Sequence, residues 1–114
     1  MSDCLFCGII DGRINATIIY RDDALVAFKD IKPRAPVHIL IIPCKHIESV
    51  LDLEPNDGAL IGQIFQVAAR LARELGIAES GFRVVVNAGP DAGQSVFHLH
   101  YHLLGGRQMG WPPG

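Results

Sequence analysis

Apolar and polar positions along the chain change period several times, and each change marks a structural element. From about residue 56 to residue 75, Leu60, Ile64, Val67, Ala68, Leu71 and Leu75 recur at three- and four-residue steps, which predicts one apolar helix face. Gly76 is its natural stop. Stretches 17–20 and 25–29 are rich in β-formers and flank Asp22-Asp23, so they predict a hairpin. Pro33 and Pro36 then interrupt, and residues 37–42 form a β-branched run that Pro43 ends. Two further strands are predicted over 82–87 and 96–104, joined by the turn-rich Ala88-Gly89-Pro90-Asp91-Ala92-Gly93. A short N-terminal helix over 4–11 stops near Gly12. The expected fold class is α+β: a five-stranded antiparallel sheet with one long helix and a short N-terminal helix. No repeat or linker divides residues 1–114, so a single domain is expected.

The last predicted strand carries the most informative pattern. On a strand, successive side chains point to opposite faces, so His98, His100 and His102 share one face while Phe97, Leu99, Tyr101 and Leu103 share the other. Imidazoles two residues apart then stand about 7 Å from each other, close enough for two of them to grip one anion. Imidazole is also the side chain whose ordinary pKa lets it act as a neutral nucleophile or a charged donor near neutrality. The Gly-Gln-Ser turn ahead of the strand offers backbone N–H groups to a phosphate. The competing readings of such a face are solvent exposure or a transition-metal site.

Composition narrows the function. With 10 Lys+Arg against 12 Asp+Glu among 114 residues, and no basic block, the chain lacks an electrostatic footprint for duplex nucleic acid. A 49% hydrophobic share argues against disorder. The start, Met-Ser-Asp-Cys, has an acid where a secretory signal needs basic residues, and its apolar run is too short to span a bilayer. A cytoplasmic protein without membrane contact is expected. Three cysteines cannot all pair within one chain, and a reducing compartment keeps them as metal-competent thiols. Cys4 and Cys7 are spaced to occupy adjacent corners of a metal tetrahedron, although two buried small hydrophobes or a redox pair use the same spacing. Any further ligands must come from far along the chain.

His98-Leu99-His100-Tyr101-His102-Leu103-Leu104 resembles the histidine-triad (HIT) motif. Phe28-Lys29-Asp30-Ile31, Pro36-Val37-His38, Ile42-Pro43-Cys44-Lys45-His46, Val86-Asn87, Gly93-Gln94-Ser95-Val96 and the ending from Gly105 to Gly114 resemble the Hint branch of that superfamily, the histidine-triad nucleotide-binding proteins. Ser95 separates this pattern from Fhit-like dinucleoside polyphosphate hydrolases, which usually place Gln there.

The resemblance implies a purine nucleoside 5′-phosphoramidate hydrolase. In it, His100 attacks the α-phosphorus, an amine leaves, and water then releases the nucleoside monophosphate from a nucleotidyl-histidine. His102 would hydrogen-bond the phosphate, and His38 would lie beside the nucleophile. Asn87, Gly93, Gln94, Ser95 and Val96 would hold phosphoryl oxygens. Asp30 would bind the ribose hydroxyls, although without the resemblance a turn-capping acid is the preferred reading at position 30. Leu5, Phe6, Ile9, Ile14, Phe28, Ile31 and Leu40 would sandwich the purine, and each is equally suited to a core. The resemblance further implies a structural zinc on Cys4, Cys7, His46 and His98, no catalytic cofactor, and a homodimer with the two sheets joined. There the C-terminal tail with Trp111 reaches the neighbouring site. Gly110 stands where many relatives have His, which leaves any substrate contact from that position unassigned. A dinucleoside polyphosphate hydrolase and a nucleotide-binding regulatory module with vestigial activity are the alternative readings.

Overall fold

The two faces of one sheet carry different loads. The computed structural model describes residues 3–114. Its elements are helix α1 (Leu5–Ile10), strands β1 (Ile18–Arg21), β2 (Leu25–Lys29) and β3 (Val37–Pro43), two single 3₁₀ turns (Val50–Asp52 and Pro55–Asp57), helix α2 (Gly58–Glu74), and strands β4 (Phe82–Val86) and β5 (Tyr101–Gly105). The strands form one antiparallel sheet in the order β1-β2-β3-β5-β4. This is the α+β arrangement read from the sequence. No helix among the described residues is long and apolar enough to cross a membrane.

Strand alternation divides the core in two. Leu25 and Ala27 of β2, Ile39 and Ile41 of β3, and Tyr101 and Leu103 of β5 pack with Ile64, Val67, Ala68 and Leu71 of α2. Val26, Phe28, Leu40 and Ile42 point the other way, against Phe6 and Ile9 of α1. Each Leu, Ile or Phe so buried contributes about 1.5–3 kcal/mol. Helix α2 begins at Gly58 rather than at residue 56 because Asp57 closes a tighter turn first. Its carboxylate accepts from Glu54 N–H at 2.9 Å and from Lys45 Nζ at 2.8 Å. The helix ends where Gly76 takes a φ of 77°, with Ile77 N–H bonded to Ala72 O at 2.9 Å and Gly76 N–H to Arg73 O at 3.3 Å.

The final strand is shorter than the alternation predicts: it spans Tyr101–Gly105, not 96–104. Pairing on both sides ends at Tyr101, which is opposite Val86, the last residue of β4, and Ile41 of β3, two residues before that strand's end. Beyond that point β3 reaches Pro43, which has no N–H to donate. The segment ahead of β5 is held by other means. Leu99 N–H donates to Ile47 O at 2.6 Å and the His98 ring bonds Pro43 O at 2.8 Å. Alternation nevertheless survives from Leu99 on: Leu99, Tyr101 and Leu103 lie in the α2-side core, while the rings of His98 and His100 both contact Phe6 of α1. Phe97 departs from it and is 60% exposed.

Candidate functional site

On the α1 side of the sheet lies a cavity of about 250 Å³. Its apolar wall comes from α1 (Leu5, Phe6, Ile9), from Ile14 and Ala16 after that helix, from Phe28 and Leu40 on β2 and β3, and from Ile31. Phe6 organises this wall, standing edge-on to Phe28 at 5.5 Å and to His100 at 5.1 Å between ring centres. Gly8 is what lets Ile14 close over the helix, since a Cβ there would sit 2.5 Å from Ile14 Cδ1. Asp30, Ser95, Val96, His100 and His102 gather at the polar end of the same cavity.

Hydrogen bonds to main-chain groups fix the histidine tautomers. His100 Nδ1 lies 2.7 Å from His98 O, and a carbonyl can only accept, so Nδ1 carries the hydrogen and Nε2 keeps its lone pair. For His38 the logic inverts. Arg34 N–H donates to His38 Nδ1 at 3.0 Å, so His38 carries its hydrogen on Nε2. That Nε2 lies 2.9 Å from His102 Nδ1 and 3.4 Å from Asp30 Oδ2. His102 Nδ1 therefore accepts, and the ring's remaining nitrogen, Nε2, is an N–H donor. Sheet register explains the meeting: His38 is opposite Leu104 and His102 opposite Leu40, so the two imidazoles are diagonal neighbours on one face. Burial pushes the His102 pKa down to about 4, with the neighbouring His100 and His38 acting in the same direction and Asp30 opposing them. Burial also lowers His38, against the pull of Asp30. The pair is neutral at pH 7.

Asp30 is both a turn cap and a site group. Its Oδ1 accepts from Lys32 N–H at 2.8 Å, while Oδ2 faces His38. The loop after β4 is built more tightly than the sequence shows. Gly93 N–H bonds Pro90 O at 3.0 Å and Gln94 N–H bonds Gly89 O at 3.1 Å. The buried Gln94 carboxamide accepts from Gly89 N–H at 3.0 Å and donates to Glu48 O at 2.7 Å and Val96 O at 3.2 Å. Gln94 thus holds the Ser95 loop to the segment after His46, and its polar atoms are engaged within the protein. Asn87 is half-buried just beyond β4, and neither it nor Gly93 nor Gln94 lines the cavity. Trp111 lies elsewhere, 84% exposed, with the Arg83 guanidinium 6.0 Å from its ring centre.

The second cluster sits at the start of α1. Cys4, Cys7, His46 and His98 each offer a ligand atom, all within 4.8 Å of one another. Cys7 Sγ is 3.3 Å from His46 Nδ1, Cys4 Sγ is 3.4 Å from His98 Nδ1, and the two Nδ1 atoms are 3.1 Å apart. Tetrahedral zinc, with bonds of about 2.0–2.1 Å to nitrogen and about 2.3 Å to sulfur, calls for ligand separations of roughly this size. His98 Nε2–H donates to Pro43 O, which leaves Nδ1 as the ligating atom and sets the ring's direction. Burial keeps His98 neutral, as a ligand must be. The donor set fits a structural zinc.

Sequence reasoning passed over several residues of this face. Asn15, Ala16 and Lys29 also line the cavity, and Arg34 sets a tautomer through its main chain. Asn15 and Ala16 belong to an aperiodic link, and a main-chain donor leaves no trace in residue type.

A five-stranded antiparallel sheet with a helix on one face and a histidine-lined cavity on the other defines an α+β domain of the histidine-triad kind. Residues 11–109 match the HIT domain model, and the chain belongs to the HIT domain family. It is 48% identical over 112 residues to an uncharacterized HIT-like protein of Synechocystis sp., covering 98% of this chain and 97% of that protein. A 14 kDa zinc-binding protein of Brassica juncea is 44% identical over 114 residues, which is 98% of this chain and 100% of that protein. The crystal structure of a HIT family hydrolase from Legionella pneumophila Philadelphia 1 aligns with a TM-score of 0.96 at 49% identity, covering 98% of this chain and 100% of that one.

Proposed function

We propose that this protein is a hydrolase of the P–N bond in purine nucleoside 5′-phosphoramidates. One observation carries the reading: His100 and His102 present opposite ring functions at the polar end of one cavity, a lone pair on His100 Nε2 and an N–H on His102. A phosphoryl group needs both, a nucleophile for phosphorus and a donor for the oxygens on which charge builds.

In the first step His100 Nε2 bonds to the α-phosphorus and the P–N bond breaks, the electron pair leaving on an amine that takes up a proton from solvent. The ring of the nucleotidyl-histidine becomes cationic, and Nδ1–H remains bonded to His98 O, a carbonyl dipole that stabilises that charge. Water then attacks phosphorus and gives up a proton to solvent, the P–Nε2 bond breaks with its electron pair returning to Nε2, and nucleoside monophosphate leaves with His100 restored. His102 Nε2–H and Ser95 hold the phosphoryl oxygens, assisted by the Ser95 and Val96 main chain, while Gly93 and Gln94 shape that loop. His38 keeps His102 in its donor tautomer. Asp30 takes the ribose hydroxyls beside Ile31, and the wall of Leu5, Phe6, Ile9, Ile14, Phe28 and Leu40 takes the purine.

Cys4, Cys7, His46 and His98 hold a zinc ion that fastens α1 to the segment before the nucleophile. Its part is structural, and the cytoplasm, being reducing, keeps both thiols available to it. The chain forms a homodimer through β4, an edge strand on which Phe82 is 40% and Val86 37% exposed, and Trp111 of the tail approaches the partner's site.

The test is a rapid acid quench during turnover of adenosine 5′-phosphoramidate, followed by mass spectrometry. An adduct of nucleoside monophosphate mass on His100 is expected, and none in His100→Ala, whose turnover should fall by at least about 10³-fold. Cleavage without any adduct sinks the covalent mechanism. A strong preference for a diadenosine polyphosphate in parallel assays reassigns the substrate.

A further inference from the structure

The tautomer that makes His102 a donor is set outside the cavity, and its origin can be followed atom by atom. His38 accepts at Nδ1 from the Arg34 N–H, 3.0 Å away. Arg34 lies in the loop between β2 and β3, where Pro33 and Pro36 supply no N–H, and most of the loop, Ala35 apart, is exposed. Residue 34 is held from the opposite side of the chain. Arg107, just past β5, donates from Nε to Arg34 O at 2.9 Å and from its guanidinium to Gln108 O at 3.0 Å. Gly106, with a φ of 90°, turns the chain under this loop; a Cβ there would meet Pro36 Cβ at 2.9 Å.

We propose that Arg107 is a positioning residue for the reaction: by fixing residue 34 through its carbonyl, it keeps the Arg34 amide on His38 Nδ1 and thereby His102 as an Nε2–H donor. The inference rests on the phosphoramidase reading and deepens it. The chain of dependence is directional. A main-chain N–H cannot accept, so while it faces His38 Nδ1 the His38 hydrogen stays on Nε2, and His102 Nδ1 receives it at 2.9 Å. If the Arg34 amide swings away, His38 is free to carry its hydrogen on Nδ1. Its Nε2 then becomes an acceptor, and His102 turns to hydrogen-bond through Nδ1–H, leaving a lone pair where the phosphoryl oxygens need a donor. Asp30 Oδ2, 3.4 Å from His38 Nε2, opposes that second arrangement but does not replace the amide. The guanidinium is suited to this task because it reaches two carbonyls in one plane, which an ammonium cannot do with the same geometry.

The experiment uses the whole protein, Arg107→Ala and Arg107→Lys, with two readouts. Long-range ¹H–¹⁵N spectra of the imidazoles report which nitrogen carries hydrogen in His38 and His102, independently of any activity. Steady-state kinetics on adenosine 5′-phosphoramidate separate kcat from KM. Wild type should show the Nε2–H form of both rings. Arg107→Ala should show mixed tautomers, with kcat lower by roughly tenfold and KM changed less than about twofold, as expected when positioning is lost and binding area is kept. Arg107→Lys should fall between. Because Arg107 is exposed, an unchanged melting temperature is the expected control. Unaltered tautomers in Arg107→Ala overturn the proposal whatever the rates do, and so does a rise in KM alone. A wild type with the Nε2–H tautomers that hydrolyses no phosphoramidate overturns the functional reading instead.

Discussion

Half-buried beside two other imidazoles, the His102 ring resists taking a proton until about pH 4, whereas in the unfolded chain it does so near 6.5. The sign of the linkage follows. Above pH 6.5 neither state binds the proton and the stabilisation is complete; as pH falls from 6.5 towards 4 the unfolded state protonates first and stability is lost. Discounted for solvent screening of a half-buried ring, the loss assignable to it is about 1–2 kcal/mol across that window. Urea unfolding at pH 7 and pH 4.5 should show it, and His102→Asn should flatten the slope. At the same scale, His98, His100 and His102 were legible from spacing alone, as were Cys4 and Cys7. Which ring nitrogen carries hydrogen was not, because main-chain carbonyls and amides, which every residue shares, decide it: Pro43 O for His98, His98 O for His100, and the Arg34 amide for His38.

At the scale of elements, helix α1 is only six residues long and is not expected to be stable alone in water. Its attachments are Phe6 and Ile9 in the smaller core and the Cys4/Cys7 pair beside His46 and His98. Chelating the proposed zinc, or Cys7→Ser, is therefore expected to free α1 before the sheet opens. Amide exchange should accelerate over residues 5–10 while β3 stays protected, and elemental analysis should fall from one zinc per chain to none. Equal exchange with and without chelator would count against the metal. Strand β5 makes a second prediction. A Cβ on Gly105 would lie 2.6 Å from Ile77 Cδ1 and 3.0 Å from Ile77 Cβ, and Ile77 is buried beneath it. Gly105→Ala should lower stability by about 1–3 kcal/mol in denaturant unfolding, from overpacking.

For the whole molecule, the two-sided sheet separates stability from chemistry. The α2 side is an apolar core in which Ile64 and Leu71 are almost fully buried, so Leu71→Ala should lose about 2–5 kcal/mol while leaving KM for a phosphoramidate near the wild-type value. The α1 side carries the cavity, both histidine clusters and the loops that orient them. Light scattering should give twice the chain mass at micromolar concentration, and a charge introduced on the edge strand, Val86→Arg, should reduce it to one. A monomeric wild type would remove the proposed role of Trp111.

Local chemistry made much of this readable. The 3.6-residue period of α2, the stop at Gly76, the β-branched run before Pro43 and the two-residue spacing of the histidines each encode their structure within a short window, so the sequence by itself determined the fold class and the shared face of His98, His100 and His102. It did not determine where β5 begins, because a strand exists only as far as its neighbours offer partners, and those end at Ile41 and Val86. Nor did it determine that Gln94 ties two loops together or that Arg107 braces residue 34. These contacts join residues tens of positions apart through main-chain atoms that every residue shares. Only the folded chain, by bringing those atoms within hydrogen-bond reach, decides them.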